Sequence, residues 1–202
     1  ADGLEAYRQG NYPFAAQSLK EMQTKDPVVD YYMGRMRLYG YGELKNNAMA
    51  LRYFTEAGNK GYLPAQEFLA RYYLLHAQNP AEAFNWFKKA ADADNTAAQM
   101  YCAAAYLFGY GVKKNPDLAR RFYIEAAKNG NSIAQLTLAN QFLDSRDSRN
   151  KKLGLIWLMK AAEQNNLKAQ MTLGELYVQG GVVPKDLVKA KELISKAAQD
   201  NN

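Results

Sequence analysis

The 202-residue chain carries one cysteine and one histidine. A lone thiol, Cys102, excludes an intrachain disulfide framework and a cysteine-based zinc site. The lone imidazole, His76, has no second histidine to share a metal with, so no metal and no cofactor is expected. As a catalytic base it would need a nucleophile and an orienting acid that nothing in the chain nominates; a solvated turn histidine is expected, and no enzyme. No apolar run approaches the roughly 18–20 residues of a membrane-spanning helix. Blocks of one charge sign are missing as well. The net charge of +6 is spread along the chain, which argues against a nucleic-acid partner. There is no methionine at the start, as expected of a processed or trimmed protein.

With 48% apolar and 23% charged residues, the composition is that of an ordinary globular chain, and the informative signal is repetition. The dipeptide Ala-Gln recurs with its alanine at 65, 98, 134 and 169, spacings of 33, 36 and 35 residues. An earlier copy aligns through Gly34. Each copy continues alike: AQMYCAAAYLFGYGVKKNPDLARRFYIEAAKNGN can be laid over AQMTLGELYVQGGVVPKDLVKAKELISKAAQDNN.

The second half of every copy holds a small residue, a large one three later and alanine four after that. The sets are Ala50/Tyr53/Ala57, Ala83/Trp86/Ala90, Ala119/Phe122/Ala126, Gly154/Trp157/Ala161 and Ala190/Leu193/Ala197. Steps of three and four place each trio on one stripe of a helix, where small residues admit a neighbouring helix and the ring fills the gap. Both tryptophans are expected to be buried. Cys102 shares a stripe with Leu69, Leu138 and Leu173 and is expected to be a buried small hydrophobe.

Between the halves stands Gly40-Tyr41-Gly42, matched by Gly109-Tyr110-Gly111 and Gly180-Gly181. A phosphate-cradling loop follows a strand and occurs once, whereas this feature follows a helix and occurs three times. Gly40, Gly109 and Gly180 are therefore read as helix ends at positive φ, and Asp117 and Asp186 as marking the start of the next helix. The second and fourth copies lack the pair, so their turns should differ. The polar segment 144–150 is expected to be the most protease-sensitive stretch.

These positions resemble the Sel1-like repeat, a branch of the tetratricopeptide-type helical solenoids. The resemblance rests on Ala169, Leu173, Gly174, Tyr177, Gly180, Gly181, Val182, Asp186, Ala190, Lys196, Ala197 and Ala198 and their upstream equivalents. Residues 10–27 (GNYPFAAQSLKEMQTKDP) resemble the second half of an ordinary tetratricopeptide repeat, with a short first helix over Asp2–Gln9. The expected fold is all-α: a right-handed superhelical α-solenoid of stacked helix-turn-helix repeats in a single domain. Its boundaries are 1–27, then 28–64, 65–97, 98–133, 134–168 and 169–202. One helix pair cannot bury its own apolar stripe, while stacked pairs bury a continuous core.

The resemblance implies a non-enzymatic scaffold that holds a protein or peptide on its concave face, lined by the first helix of each pair. Offsets from the small residue of each first helix nominate Tyr31, Arg35, Leu38 and Tyr39, then Glu67, Arg71, Leu74 and Leu75. They continue through Met100, Leu107 and Phe108 to Asn140, Met171 and Glu175. Tyrosine and arginine are the residues most enriched at binding hot spots. A polyanionic glycan, such as an exopolysaccharide or peptidoglycan strand, is the alternative occupant. Charge reversal of Arg35 and Arg71 together is expected to abolish capture and leave the fold intact. Proteins resembling this one are frequent in bacterial envelopes and pathogens, so a periplasmic or secreted location is expected, with the cytoplasm as the alternative.

Overall fold

The computed structural model describes residues 2–22 and 26–199. Among these residues there are twelve α-helices and no strand, in agreement with the all-α expectation. An N-terminal pair, α1 (Gly3–Arg8) and α2 (Tyr12–Glu21), precedes five further pairs. These are α3 (Pro27–Tyr39) with α4 (Asn47–Asn59), α5 (Leu63–Leu75) with α6 (Pro80–Asp92), and α7 (Thr96–Phe108) with α8 (Pro116–Lys128). The last two are α9 (Ser132–Leu143) with α10 (Ser148–Glu163), and α11 (Leu167–Gln179) with α12 (Leu187–Gln199). The chain forms two compact units: residues 1–98 with 109–113, and residues 99–108 with 114–202.

Local chemistry sets the helix ends. Asn46, Asn79 and Asn115 each cap a second helix by accepting the backbone N–H three residues on, at 2.9–3.1 Å. Such a cap stabilises a helix by about 1 kcal/mol. Asp186 does the same for Lys189, as its sequence position suggests. In α8 the cap is Asn115, and Asp117 sits in the first turn. Gly40 ends α3 at φ 76°, a left-handed conformation that only glycine adopts without strain. Where the glycine pair is missing the turns differ, as expected. α5 ends on His76 in a right-handed conformation, and Gln78 takes the positive φ. The 144–150 segment is shorter as a turn than expected: Asp147 caps α10, and Ser148–Asn150 are already helical.

In the first unit, one cluster gathers Tyr7, Ala15, Leu19, Val29 and Met33 from α1, α2 and α3. A second joins Phe54, Leu69, Ala70 and Trp86. Trp86 is buried, and its ring edge lies over Gly58, where a Cβ would come within 2.8 Å of it. In the second unit Leu158, Ala161, Ala169 and Leu173 form the core between α10 and α11. Cys102 is fully buried there, as its stripe indicates. Trp157 is different from the expectation. It is only half-buried, under the Lys160 ammonium at 4.9 Å, while the adjacent Leu158 is fully buried. The same one-residue displacement occurs at Tyr53 and Phe54. An α-helical stripe spans more than one residue of arc, so a three-and-four spacing does not fix which of two neighbours points straight inward.

Candidate functional site: a cleft between α3 and α5

The first unit contains an open cleft of about 600 Å³. Its walls come from α3, through Tyr31, Leu38 and Tyr39, and from α5, through Pro64, Glu67, Phe68, Arg71, Tyr72, Leu75 and His76. Asn47, the first residue of α4, closes one side. Spacings of four and seven keep side chains on one face of a helix and so in one wall: Tyr31 and Leu38 on α3, Glu67, Arg71 and Leu75 on α5.

Rings connect the floor of the cleft to the core. Tyr31 meets Phe54 edge-on at 5.5 Å, and Phe54 lies 4.0 Å from Phe68. Phe68 stacks on Tyr72 at 6.4 Å, and Tyr72 meets the His76 ring at 5.9 Å. This row is anchored at Phe54, which is fully buried, so the outer rings sit on a rigid base. At the mouth, Tyr39 and Leu75 are 53% and 66% exposed. Apolar area of this kind on facing walls gains free energy when a ligand covers it.

Burial raises the pKa of the Tyr31 hydroxyl above its ordinary value, Arg35 opposing and Tyr32, Tyr39 and Glu67 reinforcing the shift. Tyr31 therefore presents a neutral O–H, a donor as well as an acceptor. Glu67 accepts a hydrogen bond from Asn95 Nδ2 at 3.3 Å. The α3–α4 turn beside the cleft is fixed by Glu43, whose carboxylate is shared by Arg37, at 2.7 Å, and Lys20. Arg37 also donates to the Leu44 carbonyl at 3.2 Å. Glycine is required in this turn, because a Cβ on Gly42 would overlap the Tyr12 carbonyl.

Six of the nominated residues line this one cleft: Tyr31, Leu38, Tyr39, Glu67, Arg71 and Leu75. Arg35 does not. Its guanidinium lies over the rings of Tyr7, Tyr32 and Tyr39 at 5.5, 6.0 and 6.0 Å, so it braces α3 against α1. Reversing it would remove those contacts, and the paired Arg35/Arg71 reversal is not a clean test of binding. Leu74 is exposed but lies outside the cleft lining. In the second unit, Met100 and Leu107 are half-buried, and Phe108, Asn140, Met171 and Glu175 are exposed.

Phe68, Tyr72 and His76 were not nominated on the sequence, although they lie one turn apart on α5 like Glu67, Arg71 and Leu75. The role of the repeated Ala-Gln pair was also not foreseen. Gln66, Gln135 and Gln170 each donate Nε2 to the carbonyl eight residues back, at the end of the preceding helix, at 3.0–3.2 Å. The Oε1 of Gln99 and Gln135 accepts a side-chain amide from the residue closing the second helix of the same copy: Asn129 at 3.1 Å and Gln164 at 2.8 Å. In the first copy the pair becomes Asp30 with Lys60. The repeated dipeptide is thus a polar clamp inside the stack, not part of the cleft.

A family model described as the Sel1 repeat matches residues 29–62, 63–95, 96–131, 134–166 and 167–202. The chain is 32% identical over 93 residues to an uncharacterized protein of Neisseria meningitidis serogroup B, covering 46% of this chain and 20% of that one. It is 34% identical over 91 residues to a chitin synthase regulator of Saccharomyces cerevisiae, covering 42% of this chain and 13% of that one. It therefore spans a fifth or less of these curated relatives. Among solved structures it superposes with a TM-score of 0.77 on c5321, a protective antigen of uropathogenic Escherichia coli strains displaying an SLR fold. The identity is 24%, with 99% of this chain and 45% of that one covered. A Sel1 repeat protein from Oxalobacter formigenes gives 0.74 at 24% identity, over 99% and 84%. With five matched copies covering most of its length, the chain belongs to the Sel1 repeat family.

Proposed function

We propose that the chain is a non-enzymatic binding scaffold whose α3–α5 cleft holds a peptide segment of a protein partner. Sel1-repeat proteins generally act as protein-interaction scaffolds and form a non-catalytic repeat family. The observation that carries the reading is the cleft: facing walls from two first helices, an aromatic row seated on buried Phe54, and exposed Tyr39 and Leu75 at its mouth. Rings of this kind supply contact area at little entropic cost, and polar groups spaced among them fix register. Tyr31, Asn47 and Glu67 offer donors and acceptors to a peptide backbone. A polyanionic glycan is the poorer occupant, because the lining sets a single arginine, Arg71, beside the Glu67 carboxylate, which suits one anionic group but not a chain of them.

The test is selection of binders from a random peptide display library, followed by affinity measurements on Leu75→Asp and Tyr39→Ala. Both side chains are exposed, so helical content should not change. Loss of at least about tenfold in affinity is expected for each, as for anchors of an interface, with little dependence on salt. Peptides that bind both variants as well as the native chain would refute the assignment.

A further inference from the structure

We propose that the cleft selects segments in which a carboxylate side chain neighbours a bulky apolar one, with Arg71 as the group that reads the carboxylate. This rests on the peptide-binding reading above and narrows it to a partner chemistry.

The first unit holds five arginines, at 8, 35, 37, 52 and 71. Four are engaged. Arg8 pairs with Glu5 at 3.3 Å, Arg37 with Glu43 at 2.7 Å and Arg52 with Glu56 at 3.5 Å, and Arg35 lies over three tyrosine rings. Arg71 is exposed and has no ion pair, hydrogen bond or ring contact from its guanidinium among the described residues. It is also the arginine that lines the cleft. A ready partner stands one turn earlier: a Glu four residues N-terminal to a basic side chain is in the favourable orientation for a helix pair. Glu67 instead accepts from Asn95. The guanidinium lines the cleft with its donors unpaired among the described residues, and its planar fork matches a carboxylate in bidentate fashion.

The apolar half of the requirement comes from the surroundings of Arg71. The Phe68–Tyr72–His76 row and Leu75 lie along the same wall, and Leu38 comes from the α3 wall. A side chain beside the carboxylate would be covered on several sides, which excludes water from the ion pair and strengthens it.

The library selection distinguishes the alternatives when binders are sorted by loss on Leu75→Asp, which marks those that use the cleft. Cleft binders should share an acidic residue next to a bulky apolar one. Changing that Asp or Glu to its amide should weaken binding to the native chain about tenfold, and barely to Arg71→Gln, as expected for one desolvated charge-assisted contact. Cleft binders without an acidic residue, or with equal affinity for Arg71→Gln, would overturn this inference and leave peptide binding standing. Absence of any binder sensitive to Leu75→Asp would overturn both. So would dextran sulfate bound through Arg71 when no peptide is, since it would make the occupant a polyanion.

Discussion

Replacing Ala93 with asparagine should stabilise the protein, although Ala93 touches no part of the cleft. The reason is the polar clamp between repeats. Lys60, Ala93, Asn129 and Gln164 occupy one equivalent place, the residue that closes the second helix of its copy. Three of them donate to the polar side chain at the clamp position of their own first helix: Lys60 to Asp30, Asn129 to Gln99, Gln164 to Gln135. Alanine cannot donate, and the Oε1 of Gln66 is buried with no hydrogen-bond partner among the described residues. The backbone at 93 is already suited: its φ of −88° and ψ of 20° lie close to the −76° and 6° of Asn129. Satisfying a buried carbonyl contributes about 1 kcal/mol. In a chain of this size that corresponds to roughly 2–4 °C in the melting midpoint. Thermal unfolding followed by circular dichroism reads it directly. Asn129→Ala should lose a similar amount, and Gln66→Leu in the Ala93→Asn background should abolish the gain. If Asn129→Ala is destabilising while Ala93→Asn is neutral, or the gain persists without Gln66, the clamp is not equivalent between copies.

Three further outcomes follow from the packing and the titrating groups. Trp86→Ala should cost about 3–5 kcal/mol, and Trp157→Ala distinctly less, because only Trp86 is buried; equal losses in urea titrations would contradict the burial difference. Gly111→Ala should cost at least about 2 kcal/mol, from strain at positive φ and a methyl overlapping the Pro80 carbonyl. Gly61→Ala, at φ 86° with nothing within 4 Å, should cost only the strain, about 1 kcal/mol, and the two variants compared in one melting series check the difference. Burial raises the hydroxyl pKa of Tyr7, Tyr31, Tyr62, Tyr101 and Tyr123 above the ordinary 10.0. Folding thus favours their protonated form, so this stability is complete below pH 10 and falls as the pH rises through the folded values. The rise of tyrosinate absorbance should extend to higher pH in the folded protein than in the urea-unfolded chain; coincident curves would contradict it.

The helical-repeat organisation was legible in the sequence because it is written several times over. The Ala-Gln pairs with alanine at 65, 98, 134 and 169, the five small–large–alanine trios and the three glycine turns each report the same period. Even the short first helix, capped by Asp2, falls where its pattern put it. What was illegible depends on angles and partners. Tyr53 and Trp157 were read as the rings that fill the gap to a neighbouring helix, yet Phe54 and Leu158 are deeper, since neighbours on a helix differ by an arc that spacing cannot resolve. Arg35 and Arg71 share a repeat position and a residue type. One is spent on tyrosines from α1 and α3, and the other is open to the cleft. That difference arises from the N-terminal helix pair, which only the first copy has beside it. The clamp function of Gln66 and its equivalents was hidden for another reason: a hydrogen bond to a backbone carbonyl leaves no mark on the residue that accepts it.

The central claim is that α3 and α5 together hold a peptide. Backbone amide shifts of the labelled protein, recorded as a selected peptide is added, test it most directly. Changes confined to residues 31–39, 47 and 64–76 are the result predicted here. Shifts centred on α11 and α12, or spread evenly over the chain, would contradict it.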